Sequence, residues 1–290
     1  MHLVDGTYEL FRYHFAPNNR DPKRGAIVGL LGSLLQLVAD GATHVGVATD
    51  HIIESFRNDL WPDYKSSVGM PPELLAQFTP AEEALAAAGF AVWPQVEQEA
   101  DDGLATAARM AATDPRVERV IICTPDKDLG QCVGGKVVQL DRRKGVLLDA
   151  AGVETKLGVP PRSVPDWLAL VGDSADGFPG LPGWGAKSAA AVLRRWGRLE
   201  DIPDDPVTWD SGVRGAAKLA TALRQGWELA LLFRRIATLE LDAPVSASVD
   251  ELRWTGPPDP DVFAAVCATL GAPRLVTRAT ELAAGRTQAS

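Results

Sequence analysis

The chain has 290 residues, 46% of them hydrophobic, enough to bury a sizeable core in one large domain or two smaller ones. Its formal charge of −9 argues at face value against a polyanionic partner, and its three cysteines, Cys123, Cys132 and Cys267, form neither a metal-ligand spacing nor an even disulfide set. No apolar run is long enough to span a bilayer and the N-terminus lacks the form of a signal peptide, so the expectation is a cytoplasmic protein with buried, reduced thiols and no membrane partner.

Leu3-Val4-Asp5-Gly6 reads as a short strand ending in an acid and a glycine. Ala26 to Ala39 carries apolar residues at helical spacing and is closed by Gly41. His44 to Ala48 is a second predicted strand, ending in Thr49-Asp50, and a polar stretch with aromatics follows through Phe56-Arg57 and Trp61 to Lys65. Glu73 to Ala88 is a predicted helix and Phe90 to Trp93 a third strand. Glu99-Ala100-Asp101-Asp102 then opens an alanine-rich helix running to about Ala112. Val117 to Cys123 is a fourth strand, leading into Thr124-Pro125-Asp126-Lys127-Asp128, and Lys136 to Leu140 a fifth, placed near an edge. Strands alternating with helices predict an α/β fold with a mostly parallel central sheet flanked by helices.

From about Val159 prolines interrupt the pattern and helices dominate: Ser163 to Val171, Ala186 to Trp196, Gly215 to Gln225, Trp227 to Leu239 and Pro260 to Leu270. The expected division is therefore 1–158 and 159–290. Asp201 to Asp210 reads as a loop and the tail after Ala284 as frayed.

The acids carry the chemical signal. In parallel sheets ligands bind beyond the carboxyl ends of the strands, where Asp5, Asp50 and Asp126 are expected. Glu99 and Asp102, three apart, share a helix face, with Asp101 roughly 100° round. Adding Asp128, Asp173 and Asp176 gives nine carboxylates with no His or Cys companion, a hard oxygen set that suits Mg²⁺ or Mn²⁺ rather than zinc. More acids than one ion needs suggests two, in the arrangement that clamps a phosphodiester. The nine acids also equal the formal charge of −9, which leaves the remaining surface balanced and able to hold basic patches at Arg20, Lys23 and Arg24, at Arg142, Arg143 and Lys144, or at Arg194, Arg195 and Arg198. Gly183-Trp184-Gly185-Ala186-Lys187 adds a glycine turn at a helix start, where backbone N–H groups can meet a phosphate.

Taken together and in order, Val4-Asp5-Gly6, Thr49-Asp50 with Phe56-Arg57, Tyr64-Lys65, Glu99 to Asp102, Asp126 to Leu129, Gly172 to Asp176 and the Gly183 turn resemble the 5′-nuclease superfamily of flap endonucleases and the N-terminal exonuclease domain of bacterial DNA polymerase I. The resemblance runs roughly from Leu3 to Leu270. It implies a PIN-like nuclease core followed by a helical region with a helix-three-turn-helix motif. It implies one metal group of Asp5, Asp50, Glu99 and Asp102, assisted by Asp101, and a second of Asp126, Asp128, Asp173 and Asp176. Lys65 would lie by the scissile phosphate with Arg57 orienting it. Gly183, Gly185 and Lys187 would grip uncut duplex, with a K⁺ ion, and Met70 to Ala88 would help form an arch over the 5′ end.

The sequence departs from the pattern at Val68, where an arginine is common, at Gly177-Phe178 in place of Asn-Ile, at Pro125 in place of glycine, and at Gly130-Gln131-Cys132. None removes a ligand. The expectation is a stand-alone, monomeric 5′-3′ exonuclease that uses two Mg²⁺ or Mn²⁺ ions on double-stranded DNA, leaves 5′-phosphates and has possible flap endonuclease activity, in replication or repair. The alternatives are a non-catalytic DNA-junction binder on the same fold and a ribonuclease of related fold.

Overall fold

The computed structural model describes residues 1–209 and 212–287. In chain order the elements are β1 (His2–Asp5), α1 (Gly6–His14), α2 (Gly25–Ala39), β2 (Val45–Asp50), α3 (Phe56–Leu60), α4 (Pro72–Leu75), α5 (Phe78–Ala87), β3 (Ala91–Gln95), α6 (Ala100–Thr113) and β4 (Val120–Cys123). They continue as β5 (Val137–Asp141), β6 (Val146–Leu148), α7 (Ala150–Leu157), α8 (Val164–Val171), α9 (Ala186–Trp196), α10 (Ala216–Gln225), α11 (Trp227–Ala237), α12 (Pro260–Thr269) and α13 (Arg274–Thr287). These group into two compact units, neither continuous in sequence. The first comprises Met1–Ile53, Ser67–Thr124 and Leu241–Ser290, the second Glu54–Ser66 and Pro125–Glu240.

In the first unit four parallel strands lie in the order β3-β2-β1-β4. Every residue of β2 is buried, as parallel strands covered on both faces require. β2 runs past its expected end because β3 pairs with it as far as Asp50 opposite Gln95. Asp5 and Asp50 are thus the last residues of their strands. β4 starts later than expected, since Asp114 and Arg116 hold a turn ahead of it.

α1 is an addition to the expected elements. Its cap is Asp5 itself, whose carboxylate accepts the Tyr8 N–H at 2.8 Å. Gly6 is needed there because a Cβ would lie 2.7 Å from Thr49 Cγ2 and 2.8 Å from Val47 Cγ1. The predicted helix over 73–88 is broken into α4 and α5 at Ala76-Gln77. Gln77 is buried and donates to the Pro22 and Glu73 carbonyls at 2.8 and 2.9 Å. The C-terminal residues complete this unit. Trp254 is 1% exposed, stacks on Phe90 and donates to the Ala88 carbonyl at 2.9 Å. The expected frayed tail is helical to Thr287, and its last residues, 288–290, lie outside the described residues.

The second unit holds the antiparallel β5–β6 pair and helices α3 and α7 to α11. β6 has only three residues, with Val146 and Leu147 exposed, so no apolar alternation announces it. α7 is capped by Asp149, which accepts the Gly152 N–H at 2.8 Å. Phe233 on α11 centres an aromatic core, 5.1 Å from Trp61 and 5.4 Å from Phe178 between ring centroids. The expected loop over 201–210 contains single 3₁₀ turns, Leu199–Asp201 and Pro206–Thr208, and its last residue, Asp210, is outside the described residues. Cys123 and Cys267 are buried, Cys132 only partly, and all three are free thiols.

Candidate metal centre

In the second unit a short loop is closed by Asp173 and Phe178, which exchange backbone hydrogen bonds of 2.8 and 3.1 Å. Gly177 sits at φ +83°, a conformation glycine and asparagine share, which accounts for its replacing asparagine. A Cβ there would also collide with the Asp63 carbonyl oxygen. The closed loop presents Asp173 and Asp176. Asp128, at the start of a 3₁₀ turn after β4, meets them: carboxylate oxygens of Asp128, Asp173 and Asp176 lie within 4.8 Å of one another. Asp126 stands beside this trio, its Oδ1 accepting the Asp128 N–H at 3.0 Å.

Three clustered carboxylates repel, and the structure answers with two lysines. Lys127 Nζ donates to Asp173 Oδ2, and Lys65 Nζ lies 3.4 Å from Asp176 Oδ1. Burial alone would lower the Lys127 ammonium, but the Asp173 hydrogen bond and the charges of Asp128, Asp173 and Asp126 raise it above its ordinary value. Lys65 is held in place by its backbone: its N–H donates to the Asp176 carbonyl at 3.0 Å, and its carbonyl accepts from Asn58 Nδ2 at 3.1 Å. Asp128 has less relief, since the Lys127 charge lowers its carboxyl without offsetting burial. Its Oδ1 is buried with no hydrogen-bond partner. Burial first, then the charges of Asp126 and Asp176, push its carboxyl well above the usual range. An orphaned, buried oxygen in an all-carboxylate cluster fits a hard divalent cation.

The first unit treats its acids differently. Asp5 accepts from Tyr8 N–H and from Thr124 Oγ1 at 2.9 Å. Asp50 Oδ1 accepts the Ala100 N–H at 2.8 Å, which ties the end of β2 to the start of α6. Glu99 and Asp102 form a capping box in which Asp102 Oδ2 takes the Glu99 N–H at 2.9 Å. All four are buried, Asp102 fully, and Asp101 is partly exposed beside them.

Arg57 is placed in the interior of the second unit. It is 1% exposed, and its guanidinium donates to the carbonyls of Ile236 at 2.8 Å and Thr238 at 3.3 Å. These bonds tie α3 to the end of α11. Gly183, Gly185 and Lys187 do share a groove, of about 690 Å³, with Ser188, Val213 and Arg214. Gly183 is at φ +81°, and the Gly185 N–H donates to Ser188 Oγ at 3.0 Å. Two residues here lie outside the set expected from sequence. Lys127 is masked by the acids on either side of it. Arg214 lies in Gly212-Val213-Arg214-Gly215, a second glycine turn before a helix, and the logic applied to Gly183 finds it.

Comparison with known proteins agrees with this architecture. Residues 1–158 match the model of the 5′-3′ exonuclease N-terminal resolvase-like domain and residues 159–260 that of the 5′-3′ exonuclease C-terminal SAM fold. The chain belongs to the 5′-3′ exonuclease family. It is 30% identical over 262 residues to the 5′-3′ exonuclease of Buchnera aphidicola subsp. Baizongia pistaciae, covering 88% of this chain and 86% of that one. It is 33% identical over 278 residues to DNA polymerase I of Pseudomonas aeruginosa, covering 91% of this chain but only 30% of the polymerase's length. In fold it resembles a zinc-bound T5 5′-exonuclease, with a TM-score of 0.66 and 20% identity over 98% of this chain and 99% of that one. It also resembles the Rad2 catalytic core in complex with DNA, with a TM-score of 0.63 and 17% identity over 97% of this chain and 91% of that one. Among the described residues no helix is long and apolar enough to cross a membrane.

Proposed function

We propose that the chain is a divalent-cation-dependent 5′-3′ exonuclease that hydrolyses phosphodiesters of double-stranded DNA, leaves 5′-phosphates and also cuts 5′ flaps. The observation that carries this reading is the Asp128, Asp173 and Asp176 trio with its unpartnered Asp128 oxygen. The family, the metal named for T5 5′-exonuclease and the DNA named for Rad2 support it. Asp128, Asp173 and Asp176, with Asp126 alongside, would hold one cation, and Asp5, Asp50, Glu99 and Asp102, with Asp101, the other. Mg²⁺ or Mn²⁺, when bound, supplies Lewis-acid charge to a phosphodiester and lowers the pKa of water. Lys65, beside Asp176, would add positive charge next to a phosphate. Lys127 would leave Asp173 as a cation takes its place. The Gly183 turn, with Lys187 and Arg214, would hold duplex backbone, a K⁺ ion completing the turn. We further assign residues 1–158 to the α/β nuclease core with its arch and 159–290 to the helical region that carries the helix-three-turn-helix, in a cytoplasmic monomer acting in replication or repair.

The test is digestion of 5′-labelled plain, gapped and 5′-flap duplexes with Mg²⁺ or EDTA, sizing the first products. Cation-dependent release from the 5′ end is expected. Tight junction binding with no product over hours would leave the non-catalytic reading instead. That reading draws on Val68, which is 88% exposed where the family commonly places a cation.

A further inference from the structure

α5 turns Phe78, Ala81, Glu82 and Leu85 toward the interior of the first unit, while the adjacent Glu83 is exposed. Glu82 therefore stands on an apolar stripe, at i+4 from Phe78, where a carboxylate persists only with hydrogen-bond donors. It has two. Thr49 Oγ1 donates to Oε1 at 2.9 Å, and His51 Nδ1 meets Oε2 at 2.8 Å. These are the residues on either side of Asp50.

Thr49 and Asp50, adjacent on β2, face opposite ways, and the shared contact with Glu82 puts His51, just past the strand, on the Thr49 side. The backbone of this segment is fixed as well. The Asp50 N–H donates to Thr7 Oγ1 at 2.8 Å and the His51 N–H to the Gln95 carbonyl at 2.8 Å. One buried carboxylate thus spans both neighbours of a candidate cation ligand.

We propose that Glu82 is a positioning residue for the cation group of the first unit. By anchoring Thr49 and His51 it sets the direction of the Asp50 carboxylate, in the way outer hydrogen-bond partners orient the ligands of a metal. The inference rests on Asp50 being a cation ligand, as proposed above. His51 acts here as a tether through Nδ1, not as a ligand.

Mn²⁺ binding to the whole chain, followed by electron paramagnetic resonance without DNA, reads this independently of cleavage. Asp50→Asn defines which class of bound Mn²⁺ belongs to this group. Glu82→Leu is expected to weaken that class about 10–100-fold and leave the other unaltered. The kcat on 5′-labelled duplex should fall by a similar factor, with KM for DNA unchanged. Glu82→Gln keeps an acceptor for Thr49 and should recover most of both losses. If Glu82→Leu fails to fold, judged by circular dichroism, Thr49→Val is the measurement: it keeps the shape, removes one donor and should produce a smaller loss in the same class. Unaltered Mn²⁺ affinity in folded Glu82→Leu, or in Thr49→Val should that variant be needed, overturns the proposal. A chain that cuts no DNA yet loses Mn²⁺ affinity with Glu82→Leu supports it and sinks only the nuclease reading. Absence of any Mn²⁺ class sensitive to Asp50→Asn overturns both.

Discussion

The two acidic groups solve the same electrostatic problem by opposite means. In the first unit the carboxylates are held by helix starts and hydroxyls: Asp5 by Tyr8 N–H and Thr124, Asp50 by Ala100 N–H, Asp102 by Glu99 N–H. Fixed peptide dipoles do not leave, so this group stays arranged whether or not a cation is present. In the second unit lysine side chains meet Asp173 and Asp176, and Asp128 keeps an unpartnered oxygen. That group would have to exchange these partners for a cation, as proposed above. The first resembles a preset socket and the second a switchable one.

The sharpest way to break this contrast is to remove charge from the second group. Asp173→Asn is expected to cut single-turnover cleavage by about 10²–10³-fold, the scale for removing one preorganised electrostatic interaction. An effect confined to KM would mean that the trio only helps to bind DNA. Lys65→Ala should cost about 10²-fold in the same assay if Lys65 serves the phosphate. If Lys65 serves only to quiet Asp176, the variant should instead bind Mn²⁺ more tightly with little change in rate. For the duplex groove, Lys187→Ala with Arg214→Ala should reduce the slope of log affinity against log salt by about 0.9 for each phosphate no longer neutralised. An unchanged slope would remove that groove from the DNA path.

The smallest effect is on stability. The folded state raises the Asp128 carboxyl above its ordinary value, so it binds a proton more tightly folded than unfolded. Its contribution is therefore present below the unfolded value near 4 and is lost as pH rises through the folded one. In EDTA the chain should gain stability as pH falls through that window. Asp128→Asn should flatten this dependence and raise the melting temperature at neutral pH by about 2–4 °C, following relief of about 1 kcal/mol. A melting temperature insensitive to the substitution in EDTA would mean that the trio carries no strain to relieve.

Much of this is legible in the sequence because strand-end acids and glycine turns are local signals. Asp5, Asp50, Glu99 and the Asp173–Asp176 loop announce themselves by position. What stays hidden depends on partners distant in the chain or on a residue with two duties. α1 is concealed because Asp5 reads as a strand-end acid, although the same carboxylate caps a helix. Arg57 reads as a cation for a phosphate, and only the fold brings the end of α11 to its guanidinium. Glu82 reads as one of two helix acids, and nothing local tells it from the exposed Glu83. β6, three residues long with Val146 and Leu147 exposed, has no pattern to read.

The first unit draws on three separate stretches of chain, with Trp254 of the last packed on Phe90 of the second. On the ribosome the strands bearing Asp5 and Asp50 emerge early, yet their unit lacks that tryptophan until the stretch beyond Leu241 has been made. The second unit, ending at Glu240, is fully translated first. Ordered synthesis thus brings out the acids of the first unit early but leaves the core beneath them incomplete until that later stretch has emerged.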